Sequence, residues 1–158
     1  MKQSLQRIFV RTGFVTVCLF AFLYGSGQKN YIKLYRPLAD SLAKVYGIPA
    51  AVILGVAIIE SSSGTSRNCR LLNNHFGIVG KNNVHKTHKV KTRYKQYPNA
   101  AASYNDFCRV LSRKKFYPKL KGNLNVELWL TSISKSGYSE VPSVWKQRVS
   151  QAIKSNRL

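Results

Sequence analysis

The chain has 158 residues, of which 26 are Lys or Arg and only five are Asp or Glu, so its formal net charge at pH 7 is +21. A field of this sign favours polyanionic partners, namely nucleic acid, anionic lipid or an anionic cell wall. The length suits one ordinary domain, and the sequence contains no repeat, no low-complexity linker and no second composition zone, which excludes a repeat architecture for it.

The N-terminal segment has the pattern of a secretory signal. A positive start with Lys2, Arg7 and Arg11 precedes an apolar stretch over 14–24 and the small residues of 25–27. The apolar stretch is shorter than the roughly 20 residues that span a membrane comfortably, so we expect cleavage after the third small residue; an uncleaved segment would be a membrane tether. We therefore predict a signal peptide or N-terminal anchor over 1–27 and one folded domain over 28–158.

The predicted export indicates which of the polyanionic partners to expect. A chain with a secretory signal works in the periplasm or cell envelope, where nucleic acid is not the expected partner and the anionic cell wall is. The acidic residues of the chain are few enough to examine singly, and they are Asp40, Glu60, Asp106, Glu127 and Glu140.

Two helices open the predicted domain. Apolar and aromatic side chains recur at helical spacing over 31–45, with a kink or restart expected at Pro37 and an end at Gly47. The next helix begins near Pro49 and carries no charged side chain on any face until Glu60. A helix that is apolar all round belongs in a core.

Glu60 lies where this apolar helix meets a polar turn. The Ser run that follows it and Gly64 are helix-stop signals, so the carboxyl should lie half out of water. Desolvation there should raise its pKa and keep it protonated near neutrality, as a general acid requires. A helix-end Glu in a surface hydrogen-bond network would have the same sequence pattern.

Three further helices complete a mainly α fold class. They are predicted over 99–111, 125–136 and 142–155, and the first two open on Asn residues that are suitable N-caps.

The segment over 84–97 breaks the helical pattern because it is polar and alternates with period two. Together with the apolar residues of 76–79 and the turn-like residues of 80–83, it predicts a small β-hairpin lobe. One face of the predicted strand carries only cations, which are Lys89, Lys91, Arg93 and Lys95. Such a row is a solvated face, or a surface for anionic polymer if a substrate cleft lies beside it.

The cysteine and histidine residues give little indication of a disulfide or a metal site. Cys18 belongs to the predicted signal, while Cys69 and Cys108 could pair in an oxidising compartment or stay as buried thiols. His85 and His88 have no acid or Cys nearby, so we predict no metal and no other cofactor.

Four blocks of the sequence resemble the glucosaminidase family, glycoside hydrolase family 73, and occur in the same order. The first block opens at Tyr46-Gly47-Ile48-Pro49 and ends with Ile59-Glu60-Ser61, followed by Gly64 and Ser66. The second, similar to the family's Asn-x-Phe-Gly-Ile segment, is Asn73-Asn74-His75-Phe76-Gly77-Ile78. The third covers Tyr97 to Phe107, and the fourth, similar to a Gly-Tyr-Ala-Thr-Asp-Pro turn, is Gly137-Tyr138-Ser139-Glu140-Val141-Pro142.

The resemblance implies a lysozyme-like helical fold, with the β-lobe flanking a groove in which the β-1,4 bond after N-acetylglucosamine in peptidoglycan is cleaved. By position, Glu60 matches the family's general acid and Tyr138 the tyrosine that assists at the reacting sugar. The expected partner is the peptidoglycan glycan strand, bound by a monomer. The other residues that we expect to contact substrate are Ser66, Asn74, Phe76, Gly77, Tyr94 and Glu140.

Two departures from the family pattern leave the second catalytic group open. The segment over 76–104 contains no Asp or Glu that could activate water, and Val141 stands where the family has Asp. Attack by the substrate's own 2-acetamido oxygen needs only one carboxylate. Attack by a muramyl hydroxyl, as in a lytic transglycosylase that forms 1,6-anhydro products, also needs only one. A non-catalytic basic domain that binds the cell wall is the third alternative, and in it Glu60 would be dispensable.

Overall fold

A computed structural model of the chain describes residues 27–158. Residues 1–26 of the predicted signal segment, Cys18 among them, lie outside the described residues. The first helix, α1, is described over 27–46. The helices that follow it are α2 (Ala50–Ser61), α3 (Arg67–Leu72), α4 (Val84–His88), α5 (Ala100–Ser112), α6 (Tyr117–Leu120), α7 (Val126–Lys135) and α8 (Pro142–Ser155).

The mainly helical fold class is confirmed, and the main helices begin where the sequence predicts. Asn99 and Asn125 cap α5 and α7, because their side-chain oxygens accept the backbone N–H of Ala102 at 2.9 Å and of Leu128 at 3.1 Å. No helix within residues 27–158 combines the length and the apolar character needed to cross a membrane.

The restart expected at Pro37 does not occur, because α1 continues through it. Proline removes one hydrogen bond from a helix interior, but tertiary packing outweighs that loss here. Tyr31 lies before the proline, and Ala39 and Leu42 lie after it, all of them buried in one core. Gly47 ends α1 as predicted, with a left-handed φ of 63° and its N–H donated to the carbonyl of Ala43.

The centre of the core is α2, which packs against α8 and α7. Its residues 52–58 are all buried, as the absence of a charged face predicts. Gly55 permits a close approach, because a Cβ there would lie 2.5 Å from Cγ1 of Ile153 in α8. This contact places the last turn of α2, which carries Glu60, beside the first turn of α8.

The predicted β-hairpin is wrong as regular structure. Residues of the predicted strand form helix α4, and within residues 27–158 the pairing is reduced to one isolated antiparallel bridge between Val79 and Tyr94. Asn74 replaces a bond of the ladder at the next position, because its side-chain oxygen accepts the N–H of Ile78 at 3.2 Å and its amide donates to the carbonyl of Lys95 at 2.8 Å. On the other edge of the segment, Asn82 donates to the carbonyls of Thr92 and Tyr94 at 2.9 and 2.8 Å.

The predicted cationic face is also smaller than four residues. Lys89, Lys91 and Arg93 are exposed, but Lys95 turns to Asp106, with its Nζ 2.6 Å from a carboxylate oxygen. We call Lys89, Lys91 and Arg93 the cationic segment.

Asp106, which is itself buried, is the centre of a charge cluster that holds this lobe against α5. Its carboxylate accepts hydrogen bonds from Lys95, from the guanidinium of Arg109 at 2.7 Å and from the hydroxyl of Tyr97 at 2.8 Å. Burial alone would raise the pKa of Asp106, but these hydrogen bonds outweigh it and lower the pKa to about 2.

Cys69 and Cys108 are buried free thiols, so the sequence alternative of a disulfide is not realised. Burial raises the pKa of the Cys69 thiol to about 11 and that of Cys108 to about 12. Both cysteines therefore stay protonated and pack as small apolar side chains.

Replacing Asp106 with Asn should lower the free energy of unfolding by about 2 kcal/mol at pH 7, because a buried carboxylate then no longer balances Lys95 and Arg109. The folded pKa is about 2 and the ordinary value is 3.8. The stabilisation is therefore complete above pH 4 and is lost as pH falls toward 2. Urea unfolding at several pH values measures both effects. Glu127→Gln removes an exposed partner of Lys146 and should change stability by less than about 0.5 kcal/mol; equal losses in the two variants would contradict the prediction.

Candidate active site

The turn after α2 holds Glu60 in a tightly bonded frame. Ser62 and Ser63 have left-handed φ values of 49° and 53°, which non-glycine residues rarely adopt. The hydroxyl of Ser61 donates to the carbonyl of Ala57 at 2.6 Å and accepts the N–H of Gly64 at 2.8 Å. Strained backbone of this kind persists only where its surroundings determine it, and such sites are frequently functional.

A buried polar cluster supports this turn from below. The hydroxyl of Tyr31 lies 2.7 Å from Nδ1 of His75, 2.9 Å from the hydroxyl of Tyr104 and 3.3 Å from the hydroxyl of Ser61. All four residues are buried. The cluster joins α1 and α5 to the turn after Glu60 and to the segment over 74–78 that faces it.

Asn74 shapes the segment over 74–78. Its side-chain amide donates to the carbonyls of Ile78 and Lys95, both at 2.8 Å, and its oxygen accepts the N–H groups of Phe76 and Ile78 at 3.3 and 3.2 Å. These bonds use the polar atoms of the side chain within the protein. The geometry therefore places Asn74, predicted as a substrate contact, beneath the site as a loop-forming residue.

Phe76 and Gly77 have different surroundings within that segment. The ring of Phe76 is buried and stacks on Phe107 with a centroid distance of 4.2 Å. Gly77 has a φ of 65°, and a Cβ at that position would lie 3.2 Å from Oε2 of Glu60 and 3.9 Å from Cε1 of Tyr94. The structure thus brings Glu60, Gly77 and Tyr94 together.

Glu60 is half-buried, and one of its oxygens has a protein partner. The indole N–H of Trp145, in the first turn of α8, donates to Oε1 at 2.7 Å. Burial raises the pKa of Glu60 above its ordinary value, while the bond from Trp145 and the charge of Arg148 lower it in part. The carboxyl therefore has the environment that the sequence predicts for it.

Tyr138 lies on the other side of Trp145, with a ring-centroid distance of 5.4 Å. Its hydroxyl donates to the carbonyl of Phe76 at 2.7 Å. Burial, and then the neighbouring charge of Glu60, raise the pKa of Tyr138 well above the ordinary value. The phenol is therefore neutral, and it joins the turn before α8 to the segment over 74–78.

The outer edge of the site carries one weak ion pair. Arg93 of the cationic segment lies 3.9 Å from Glu140, and both side chains are exposed, by 70% and 93%. The guanidinium of Arg93 also lies 5.9 Å from the centre of the Tyr94 ring. The turn over 137–142 and the lobe that carries Tyr94 thus approach each other near the candidate acid.

Ser66 has a different place from the other predicted site residues. Its hydroxyl accepts the N–H of Cys69 at 3.2 Å and caps α3. Within residues 27–158, no three His, Cys, Asp or Glu side chains come close enough together to hold a metal ion.

A family model for mannosyl-glycoprotein endo-beta-N-acetylglucosaminidase, the glucosaminidase model, matches residues 36–158. The chain belongs to the glucosaminidase family. This membership confirms the resemblance seen in the four sequence blocks and implies glycosidase activity. A sequence comparison with curated proteins finds no match.

Three solved structures show the same fold as this chain. The catalytic domain of the autolysin Auto from Listeria monocytogenes has 19% identity and a TM-score of 0.67, with 83% of this chain and 85% of that chain covered. The glycoside hydrolase domain of FlgJ from Salmonella typhimurium has 18% identity and a TM-score of 0.63, with 82% and 88% covered. A type VI secretion system effector-immunity complex from Pseudomonas protegens has 17% identity and a TM-score of 0.60, with 82% and 92% covered.

Sequence reasoning missed the residues that hold the candidate acid in place. In the sequence, Tyr31 belongs to the first predicted helix, His75 to the second family block and Trp145 to the last predicted helix, and nothing in their local spacing relates them to Glu60. Trp145 is 85 positions from Glu60 in the chain. The only signal in the sequence for this contact was that Trp145 follows the family block over 137–142 by about one helical turn.

The buried His75 should make stability depend on pH. Burial lowers the pKa of His75 from 6.5 to about 4, so the unfolded chain binds a proton over that interval and the folded chain does not. Stability from this group is therefore present above pH 6.5 and is lost toward pH 4, by up to roughly 3 kcal/mol. Urea unfolding at pH 7 and 4.5 should show a smaller difference for His75→Asn than for the parent. The exposed control His85→Gln should keep the parental difference; a flat parental profile would contradict the prediction.

Proposed function

We propose that this glucosaminidase is an exported enzyme that cleaves the β-1,4 bond after N-acetylglucosamine in peptidoglycan glycan strands, with Glu60 as general acid. The observation that carries the proposal is the position of Glu60. It lies in the last turn of the apolar helix α2, is half-buried, and has one oxygen bound by Trp145. A half-buried carboxyl with a raised pKa is suited to protonate a leaving glycosidic oxygen.

Export is supported by the sequence of residues 1–27, with its positive start, apolar stretch and small residues. An anionic partner is supported by the net charge of +21 and by Arg93 of the cationic segment, which lies at the edge of the site. Peptidoglycan is supported by family membership and by the likeness to an autolysin catalytic domain. We propose that the enzyme works as a monomer.

Tyr94 and Gly77 are proposed to form the floor of the subsite next to Glu60. An aromatic ring beside a glycine offers a flat apolar surface on which a sugar ring can lie. Glu140 and Arg93 stand at the rim, where their exposed pair can exchange partners with substrate at little cost.

The other four acids show why a second catalytic carboxylate is not evident. Asp106 is bound by Lys95 and Arg109, and Glu127 pairs with Lys146 on the surface. Asp40 is exposed on α1, and Glu140 is exposed and faces Arg93. This inventory favours a route in which the substrate's 2-acetamido oxygen attacks the anomeric carbon, with Tyr138 orienting that group.

The same inventory supports a second candidate function. A lytic transglycosylase also works with one carboxylate, which first protonates the leaving oxygen and then accepts the proton of a muramyl hydroxyl. The product separates the two functions, because hydrolysis leaves a reducing end and transglycosylation leaves a 1,6-anhydro sugar. Mass spectrometry of murein digested by the purified protein is the deciding measurement. If the folded protein forms neither product, the third alternative is favoured, a non-catalytic basic domain that binds the cell wall.

Replacing Glu60 with Gln keeps the shape of the side chain and removes its acidic proton. Murein cleavage should fall by a factor of about 100 or more, while the fold persists because Gln can still accept the bond from Trp145. Release of soluble fragments measures the rate, and circular dichroism checks the fold. Glu127→Gln is the matched control and should retain the parental rate; a folded Glu60→Gln protein with most of its activity would rule out the assignment.

Replacing Tyr138 with Phe tests the tyrosine. The change leaves the Phe76 carbonyl without its partner, so the free energy of unfolding should fall by about 1 kcal/mol. If the phenol also acts at the reacting sugar, turnover per folded molecule should fall at least tenfold. Tyr117→Phe, which removes a hydroxyl bound to the Tyr46 carbonyl at 2.6 Å, is the matched control. Parental turnover in the folded Tyr138→Phe protein would limit Tyr138 to a structural role.

A further inference from the structure

We propose that Trp145 is a positioning residue that divides the work of Glu60 between its two oxygens. Oε1 stays bound to the indole as an acceptor, and Oε2, which faces Gly77, carries the proton that is delivered to the glycosidic oxygen. The inference rests on the proposed function of Glu60 and adds the atom, the direction and the residue that determine the transfer.

The hydrogen bond between Trp145 and Glu60 determines which oxygen of the carboxyl carries the hydrogen. An indole N–H is a donor only, so the oxygen 2.7 Å from it must accept with a lone pair. In a protonated carboxyl one oxygen is the carbonyl and the other carries the hydrogen. With Oε1 as the carbonyl oxygen, the hydrogen is on Oε2.

The surroundings of Oε2 differ from those of Oε1. No described residue makes a hydrogen bond to it, and no buried side-chain oxygen within residues 27–158 lacks a partner. Oε2 is therefore not fully enclosed, although the residue as a whole is half-buried. Gly77 borders that opening, and a Cβ there would approach Oε2 to 3.2 Å.

The indole of Trp145, which donates this hydrogen bond, is held rigidly. Trp145 is only 6% exposed, packs against the ring of Tyr138, and stands on the first turn of α8. Because α8 packs on α2, the donor and the acceptor are held by two helices in contact. A hydrogen bond between such groups fixes the rotation of the carboxyl and leaves Oε2 directed to the side of Gly77.

The proton on Oε2 is transferred as the glycosidic bond breaks. The proton on Oε2 passes to the glycosidic oxygen as the bond from that oxygen to the anomeric carbon breaks, and the bonding pair stays with the oxygen. Glu60 becomes a carboxylate, which the indole N–H stabilises. The anomeric carbon takes an electron pair from the 2-acetamido oxygen of the substrate. Water then adds at that carbon, the bond to the acetamido oxygen breaks with its electron pair returning to the acetamido group, and the proton released by the water passes to the Glu60 carboxylate.

The indole also opposes the effect of burial on acidity. A hydrogen bond to the charged form lowers a carboxyl pKa, whereas desolvation raises it. Removal of the N–H should therefore raise the pKa of Glu60 by about one pH unit. The upper pH limit of cleavage should rise with it, because a general acid works in its protonated form.

The test compares Trp145→Phe with Trp129→Phe. Each change keeps an aromatic ring and removes an indole N–H; that of Trp129 binds the carbonyl of Asn123 at 2.8 Å, and its ring packs on Phe116 and Tyr117. The chain has only three glutamates, so selective 13C labelling of the side-chain carboxyl gives three resonances, and Glu60→Gln identifies one. The pKa of Glu60 should rise by about one unit in Trp145→Phe and stay unchanged in Trp129→Phe.

The pH profile of murein cleavage separates failure of this inference from failure of the proposed function. An unchanged Glu60 titration in Trp145→Phe would overturn the inference and leave the role of Glu60 intact. A Glu60 titration that shifts without a shift in the cleavage profile would overturn the general-acid assignment, and the inference with it. Parallel shifts of both support the two together.

A second pair of variants tests the direction of Oε2. Gly77→Ala adds a methyl group against that oxygen, while Gly122→Ala adds one at a similar positive φ of 81° with nothing within 4 Å. Both should lower the midpoint of thermal unfolding to a similar extent, because both strain the backbone. The catalytic efficiency should fall at least tenfold in Gly77→Ala alone. Equal activities of the two folded variants would overturn the assignment of Oε2 as the donor.

Discussion

The contact between α2 and α8 is the interaction on which the site depends. Gly55 lets the two helices approach closely at Ile153, and the same packing brings the last turn of α2 beside the first turn of α8. Glu60 and Trp145 are thereby placed within hydrogen-bond distance although they are far apart in the chain. A carboxyl at a helix end is commonly a surface group, and here the packing of a second helix makes it half-buried.

The opposite wall of the site is positioned by buried polar groups. Asn74 holds the loop that carries Gly77, and the cluster around the Tyr31 hydroxyl joins that loop to the turn after Glu60. Such networks specify one arrangement because an unpaired polar group in the interior is costly. The result is a rigid acid and a glycine at a fixed distance from it, which is what delivery of a proton to a bound sugar requires.

The lobe over 78–96 shows where a periodic pattern is insufficient. Its alternation of exposed and half-buried side chains is present, but Asn74 binds the Lys95 carbonyl and the Ile78 N–H that a strand ladder would join. Lys95 leaves the cationic row because Asp106 offers it a buried partner. Period-two patterning reports which side of the chain faces solvent, and it does not report which donor reaches each carbonyl.

The amino-acid sequence by itself determined the helical class, the buried character of α2, the Asn caps of α5 and α7, and the family, because local spacing and ordered motifs carry that information. It also singled out Glu60, since a carboxyl at the end of an uncharged helix is visible in one dimension. Only the tertiary structure decided that Trp145 binds this carboxyl, that Asn74 and Ser66 use their polar atoms within the protein, and that Cys69 and Cys108 remain free. These outcomes depend on which distant residues the packing of helices brings into contact, and no local pattern encodes that choice.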